Sequence, residues 1–136
     1  MAVMTHIQKQ QLLKKAVAAM RRAYAPYSRF CVGAALLTRE GRVFQGCNVE
    51  NASYGLTLCA ERTALGAAVA AGHRRFMALA VVSSGQTAPM PCGACLQALA
   101  EFCRPDFVIV TAAARNPAAM VIHPLKDLLP QAFRLG

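Results

Sequence analysis

Two short segments constrain this chain more than anything else in it: Cys59-Ala60-Glu61 and, further along, Pro91-Cys92-Gly93-Ala94-Cys95. Together they offer three soft thiolate ligands and one hard carboxylate that need not be a ligand. Structural zinc sites usually close all four positions with Cys or His, whereas catalytic sites keep three protein ligands and leave the fourth for water. A lone CxxC would say little. A CxE and a PCxxC, each placed to open a helix, form a far sharper constellation, and if the two helices run side by side all three sulfurs can converge on one ion.

The chemistry follows from those positions. Near a helix N-terminus the dipole and the free N–H groups favour a thiolate, which lowers its pKa for metal binding. Cys92 and Cys95 are three apart and share one helical face. Glu61, two residues past Cys59, falls in the same first turn, close enough to reach a metal-bound water without replacing a cysteine. Soft ligands select zinc over magnesium or calcium. Three thiolates on Zn²⁺ carry a net charge of −1, which weakens the metal's hold on its water. Arg62 stands where it can offset that charge by hydrogen-bonding to the sulfurs, or lie on the surface as an ordinary cation.

At 136 residues, the chain is long enough for one domain with a proper core, residues 1–136, and too short for two. Its mean hydropathy of +0.35 is high for a monomer of this size. No apolar run approaches a membrane span, so the excess apolar surface is expected between subunits of a homo-oligomer. The net charge of +9 comes from scattered short pairs such as Lys14/Lys15, Arg21/Arg22 and Arg74/Arg75, a solvated basic surface rather than a nucleic-acid footprint. Glu50 and Glu61 are two of only six acids and both sit near the cysteine motifs. The N-terminus lacks a charged-then-apolar signal segment, so the CxxC reads as metal or redox chemistry of a cytoplasmic protein rather than as a disulfide framework. Cys31, Cys47 and Cys103 fall in apolar patterns as small buried hydrophobes.

Along the chain, the spacing predicts a helix over Thr5–Ala23, with Leu12, Leu13, Ala16, Val17 and Met20 on one stripe. Strands follow at Phe30–Thr38 and Arg42–Cys47, joined by a hairpin at Arg39-Glu40-Gly41. A polar loop runs over Asn48–Leu56, then a helix over Leu58–Ala71 closed by Gly72. Phe76–Ser83 reads as a strand, and Pro91 as the start of a helix reaching Phe102. Phe107–Ala112 is a further strand and Met120–His123 an edge strand, with a helical turn near Leu125–Leu129. Two β-α-β units imply an α/β fold: a three-layer α-β-α sandwich around a mixed sheet of roughly five strands. His73 and His123 lack ligand spacing to the cysteines.

The two cysteine motifs, with the segments Ala25–Ala35 (APYSRFCVGAA), Gly46–Asn51 (GCNVEN), Cys59–Ala64 (CAERTA) and Leu128–Phe133 (LLPQAF), resemble the zinc-dependent cytidine deaminase family, specifically its small homotetrameric branch. The resemblance covers most of the chain and is weakest over Ala112–Met120. It implies one zinc per subunit on Cys59, Cys92 and Cys95. It implies that zinc-bound hydroxide attacks C4 of cytosine in cytidine or deoxycytidine, with Glu61 carrying protons from the water to ring N3 and to the leaving ammonia. It also implies that Asn48 and Glu50 bind the ribose hydroxyls, that the backbone at Ala60 reads the base, and that Phe30 packs on it. Tyr54 and Phe133 match positions that complete a neighbouring subunit's pocket.

Glu50 beside a ribose 3′-hydroxyl would accept its hydrogen bond but repel a 3′-phosphate, which favours free nucleosides over polynucleotides. Relatives acting on polynucleotides or on deoxycytidylate usually present histidine where this chain has Cys59. Two other readings stay open at this point. One is a deaminase of another cytosine-containing small molecule, such as a blasticidin-type antibiotic. The other is a noncatalytic zinc module contacting nucleic acid, which would need a fourth protein ligand and would tolerate Glu61→Gln.

Overall fold

The first helix owes its start to a reciprocal cap. Thr5 Oγ1 accepts from the Gln8 amide at 3.1 Å while the Thr5 amide donates to Gln8 Oε1 at 2.8 Å, so two donors that a helix start leaves orphaned are satisfied. The computed structural model describes residues 3–136. Its regular elements run in the order α1 (His6–Met20), β1 (Val32–Thr38), β2 (Val43–Cys47), α2 (Ala60–Ala70), β3 (Phe76–Ser83), α3 (Gly93–Ala100), β4 (Val108–Ala113), β5 (Val121–Pro124) and α4 (Leu125–Leu128). Single 3₁₀ turns sit at Tyr54–Leu56 and Pro117–Ala119.

The five strands form one sheet in the order β2-β1-β3-β4-β5. β1 lies antiparallel to both β2 and β3, β3 and β4 are parallel, and β5 returns antiparallel to β4. β2 and β3 therefore point the same way, and the helices that follow them begin at the same edge of the sheet. That edge is where the two cysteine motifs meet.

Strand alternation sorts the core into two layers. Ala34, Leu36, Leu79, Val81 and Ile109 face α2 and α3, packing with Ala64, Leu65, Ala68, Leu96 and Leu99. Ala35, Ala78, Ala80, Val82 and Val110 face α1, packing with Leu12, Leu13 and Ala16. The result is a three-layer α-β-α sandwich with a mixed five-stranded sheet, as the sequence leads one to expect. β3 is buried on both faces, which explains its unbroken apolar run.

The differences from the sequence expectations are local. The helix expected from Leu58 begins at Ala60, because Leu58 exchanges backbone hydrogen bonds with Val49 at 2.9 Å in each direction and is held extended. Pro91 stands one residue outside the helix cap rather than in the first helical turn, and Cys92 takes the cap position. Gly41 and Gly72 adopt φ of 91° and 97°, the left-handed conformation that closes the β1–β2 hairpin and ends α2. Cys103 is buried, whereas Cys31 and Cys47 are only half-buried, because they lie at the strand ends that open toward the site.

Candidate metal and nucleoside site

Cys59 is the N-cap of α2 and Cys92 the N-cap of α3, and neither spends its side chain on capping. Both sulfurs are free to face the space between the two helix starts. Cys95, one turn into α3, brings its Sγ to 3.6 Å from that of Cys92. The three sulfurs all lie within 4.8 Å of one another, and among the described residues they are the one group of metal-ligating side chains brought together. No histidine joins them. His73 instead pairs with Glu40 at 3.0 Å and packs on Phe44, while His123 sits in β5.

The approach of α2 to the sheet depends on Gly46. A Cβ at that position would lie 2.4 Å from the Ala60 carbonyl oxygen, the Ala64 amide nitrogen and Thr63 Oγ1. Thr63 Oγ1 then ties the helix start to the strand end, donating at 2.9 Å to the Cys47 or Ala60 carbonyl. A small residue in β2 is thus what lets the cysteine-bearing turn of α2 rest against the strand.

Electrostatics at the cluster are asymmetric. Burial opposes ionisation of Cys92, but the amides of Cys95 and Ala94 and the neighbouring thiols bring it below the ordinary thiol value. Cys95 is pushed well above it, first by burial and then by the charges of Glu61 and Cys59. A divalent cation at the centre would replace the remaining protons and hold all three as thiolates. Arg62 points Nη2 at Cys59 Sγ, 3.5 Å away, and these sulfurs hold its charge firmly in place. Its Nε is buried with no hydrogen-bond partner. A guanidinium turned onto sulfur at such a cost fits a cluster carrying net negative charge. The donor set fits zinc: three soft sulfurs converge and a cation stands beside them.

Glu61 is only 5% exposed. Burial raises its carboxyl above the ordinary value, against the pull of its own backbone amide, of Arg62 and of Cys95. A carboxyl so placed exchanges a proton more readily near neutral pH than an exposed one does.

Of the remaining candidate residues, Phe30, Asn48 and Glu50 join in one hydrogen-bonded band, whereas Tyr54, Ala60 and Phe133 lie outside it. Asn48 is buried; its Oδ1 accepts from the Val32 amide at 2.9 Å and its Nδ2 donates to the Phe30 carbonyl at 2.8 Å. One amide proton and one lone pair remain for other partners. Glu50 Oε1 accepts from the Tyr27 and Ser28 amides at 3.0 and 3.1 Å, and Oε2 accepts from the Ser28 hydroxyl. Ser28 Oγ in turn accepts from the Phe30 amide at 3.0 Å. Phe30, which follows a strained Arg29 at φ 59°, is left 44% exposed. Ala60 is fully buried at the α2 start. Tyr54 and Phe133 are 80% and 68% exposed. The backbone of Phe133 is pinned to α3 through Gln97, with contacts at 2.8 and 3.2 Å.

Sequence reasoning missed Ser28, which links Glu50 to Phe30, and Gly46. Ser28 carries no pattern that would single it out. A glycine inside an otherwise side-chain-bearing strand does signal close backbone approach, and that signal marks Gly46.

Comparison with known proteins gives a consistent picture. The family model described as the cytidine and deoxycytidylate deaminase zinc-binding region matches residues 6–111. A cytidine deaminase from Halalkalibacterium halodurans is 47% identical over 125 residues, covering 92% of this chain and 93% of its own length. A cytidine deaminase from Mycobacterium tuberculosis is 46% identical over 118 residues, 83% of this chain and 80% of its own. The crystal structure of a cytidine deaminase from Burkholderia pseudomallei superposes with a TM-score of 0.87 at 50% identity, covering 96% of this chain and all of that one.

Proposed function

Because the chain belongs to the cytidine and deoxycytidylate deaminase family, we propose that it hydrolyses the exocyclic C4–N bond of free cytidine and deoxycytidine, yielding uridine or deoxyuridine and ammonia. The observation that carries this is the convergence of three cysteine sulfurs within 4.8 Å of one another next to a buried glutamate that is not among them. A closed structural site has no use for such a carboxyl.

Cys59, Cys92 and Cys95 hold zinc, which when bound supplies the Lewis acidity that makes water a nucleophile at neutral pH. Glu61 takes a proton from the attacking water and delivers it to ring N3. It then passes the second proton to the departing amine, so one carboxyl serves as base and acid in turn. Arg62 tempers the negative charge of the thiolates. Phe30 packs on the base, the backbone at Ala60 reads it, and Asn48 and Glu50 take the ribose hydroxyls with the capacity their internal hydrogen bonds leave free. Residues 1–136 act as one catalytic domain.

The same reading makes the enzyme a homotetramer whose pockets are finished by Tyr54 and Phe133 of neighbouring subunits. Its support is the apolar surface near the site: Tyr24, Tyr27, Leu56 and Met90 are each more than half exposed, as are Tyr54 and Phe133. No helix among the described residues is long and apolar enough to cross a membrane. Pyrimidine salvage in the cytoplasm, where thiols stay reduced, suits a site made of cysteines.

The test is turnover of cytidine, deoxycytidine, cytidine monophosphate and a short oligonucleotide by the zinc-loaded protein, followed by absorbance. Turnover of the two nucleosides alone is expected. Turnover of the oligonucleotide in preference, or of none, would overturn the proposal.

A further inference from the structure

We propose that the turn Ser83-Ser84-Gly85, at the end of β3, is a positioning device for the Phe30 ring and through it for the base, resting on the substrate pocket proposed above. The ring lies so close against Gly85 that a side chain there would make it give way by a few tenths of an ångström. A Cβ at Gly85 would sit 3.0 Å from Phe30 Cε1 and 3.9 Å from Cδ1, with Ser83 Oγ at 3.4 Å as the other near neighbour. Gly85 is not among the glycines with positive φ, so its backbone has no need of glycine. The space does.

Neither partner in this contact can back away through its main chain. The Phe30 amide donates to Ser28 Oγ at 3.0 Å and its carbonyl accepts from Asn48 Nδ2 at 2.8 Å. The next residue is clamped directly to the turn: the Cys31 amide donates to Ser84 Oγ at 3.0 Å and the Ser84 amide to the Cys31 carbonyl at 2.9 Å. The turn is tied on its far side as well. The Ala114 amide donates to the Ser83 carbonyl at 2.9 Å, and Arg115 Nη2 to the Ser84 carbonyl at 3.1 Å. With both backbones held, a methyl group at Gly85 is accommodated by rotating the half-exposed ring, the one soft element in the contact. The fold pays little for this. The base meets a displaced platform.

Gly85→Ala in the zinc-loaded full chain is expected to raise KM for cytidine about 3–10-fold, the scale of one misplaced aromatic contact. Its kcat should stay within about two-fold, with melting temperature and zinc content unchanged. Phe30→Ala alone is expected to raise KM, and adding Gly85→Ala to it should change KM less than about 1.5-fold, because no ring is left to displace. An unchanged KM in Gly85→Ala overturns the proposal. So do full additivity of the two substitutions, a fall in melting temperature or zinc content in Gly85→Ala, and a Phe30→Ala variant with wild-type KM. Failure of the substrate reading shows separately, as absence of cytidine turnover by the wild-type chain, and removes this proposal with it.

Discussion

Glu61 is the residue on which the proposed chemistry turns, and its environment separates the proton-carrying role proposed for it from that of a ligand. It is buried beside the sulfurs, and its carboxyl is raised in pKa chiefly by that burial. Glu61→Gln keeps the shape and loses the proton carrier. It is expected to retain stoichiometric zinc while kcat/KM falls by at least about 100-fold; metal analysis beside steady-state kinetics checks both halves. Arg62 is tested differently. Arg62→Gln leaves the thiolates without their compensating cation, and zinc affinity measured by competition with a chelator is expected to drop about 10–100-fold. For Glu50 the prediction concerns the pH behaviour of the proposed ribose contact. The Ser28 hydroxyl above all, with the Ser28 and Tyr27 amides, holds its carboxyl below its ordinary value of 4.5 against the opposing effect of burial. A depressed carboxyl keeps its ionised interactions above the ordinary value and loses them only as pH falls through the lowered one. KM for cytidine is therefore expected to show no Glu50-dependent rise between about pH 5 and 8; a rise with an apparent pKa in that window that disappears in Glu50→Gln would contradict it.

The site's elements are placed by a few contacts that no local pattern announces. β3 and the faces of α1 were legible because burial writes itself into periodicity: an unbroken apolar run for a two-faced strand, a stripe for a helix. That Cys59 and Cys92 lie near helix starts was legible too, though not that each is the cap itself. The true start of α2 was not, because Leu58 is held extended by Val49, a partner across the polar loop. The clamp between Cys31 and Ser84 joins residues 53 positions apart, and no sequence window spans it. Gly46 announces a close approach, as a glycine inside a strand does, but not which element approaches. Placing Ala there sets a Cβ 2.4 Å from backbone atoms of Ala60 and Ala64, and backbone cannot yield as a side chain can. Gly46→Ala is expected to cost about 1–3 kcal/mol in thermal or denaturant unfolding and to weaken zinc retention, since Cys59 rides on the displaced turn. Gly66, within α2 with open space around it, is the control. Gly66→Ala is expected to stabilise by about 0.5–1 kcal/mol without touching activity.

At the scale of the whole molecule, the sheet brings two helix starts to one edge, and the metal proposed there belongs as much to folding as to catalysis. Removing it with a chelator is expected to lower the melting temperature, and Cys92→Ala to lose zinc and stability together. Stoichiometric zinc in that variant would count against the three-cysteine site. The net charge of +9 is spread over short pairs and does not oppose a nucleoside pocket. The proposed tetramer would cover the exposed Tyr54, Leu56 and Phe133, and sedimentation at micromolar concentration is expected to find it. The central claim is that zinc on three cysteines and a proton-carrying Glu61 together deaminate a free nucleoside. It is tested most directly by following the absorbance of cytidine with zinc-loaded wild-type protein and with zinc-loaded Glu61→Gln. Turnover by the first, with at least about a 100-fold loss in the second at equal zinc content, is the expected result. Equal rates from both, or no turnover by the wild type, would contradict it.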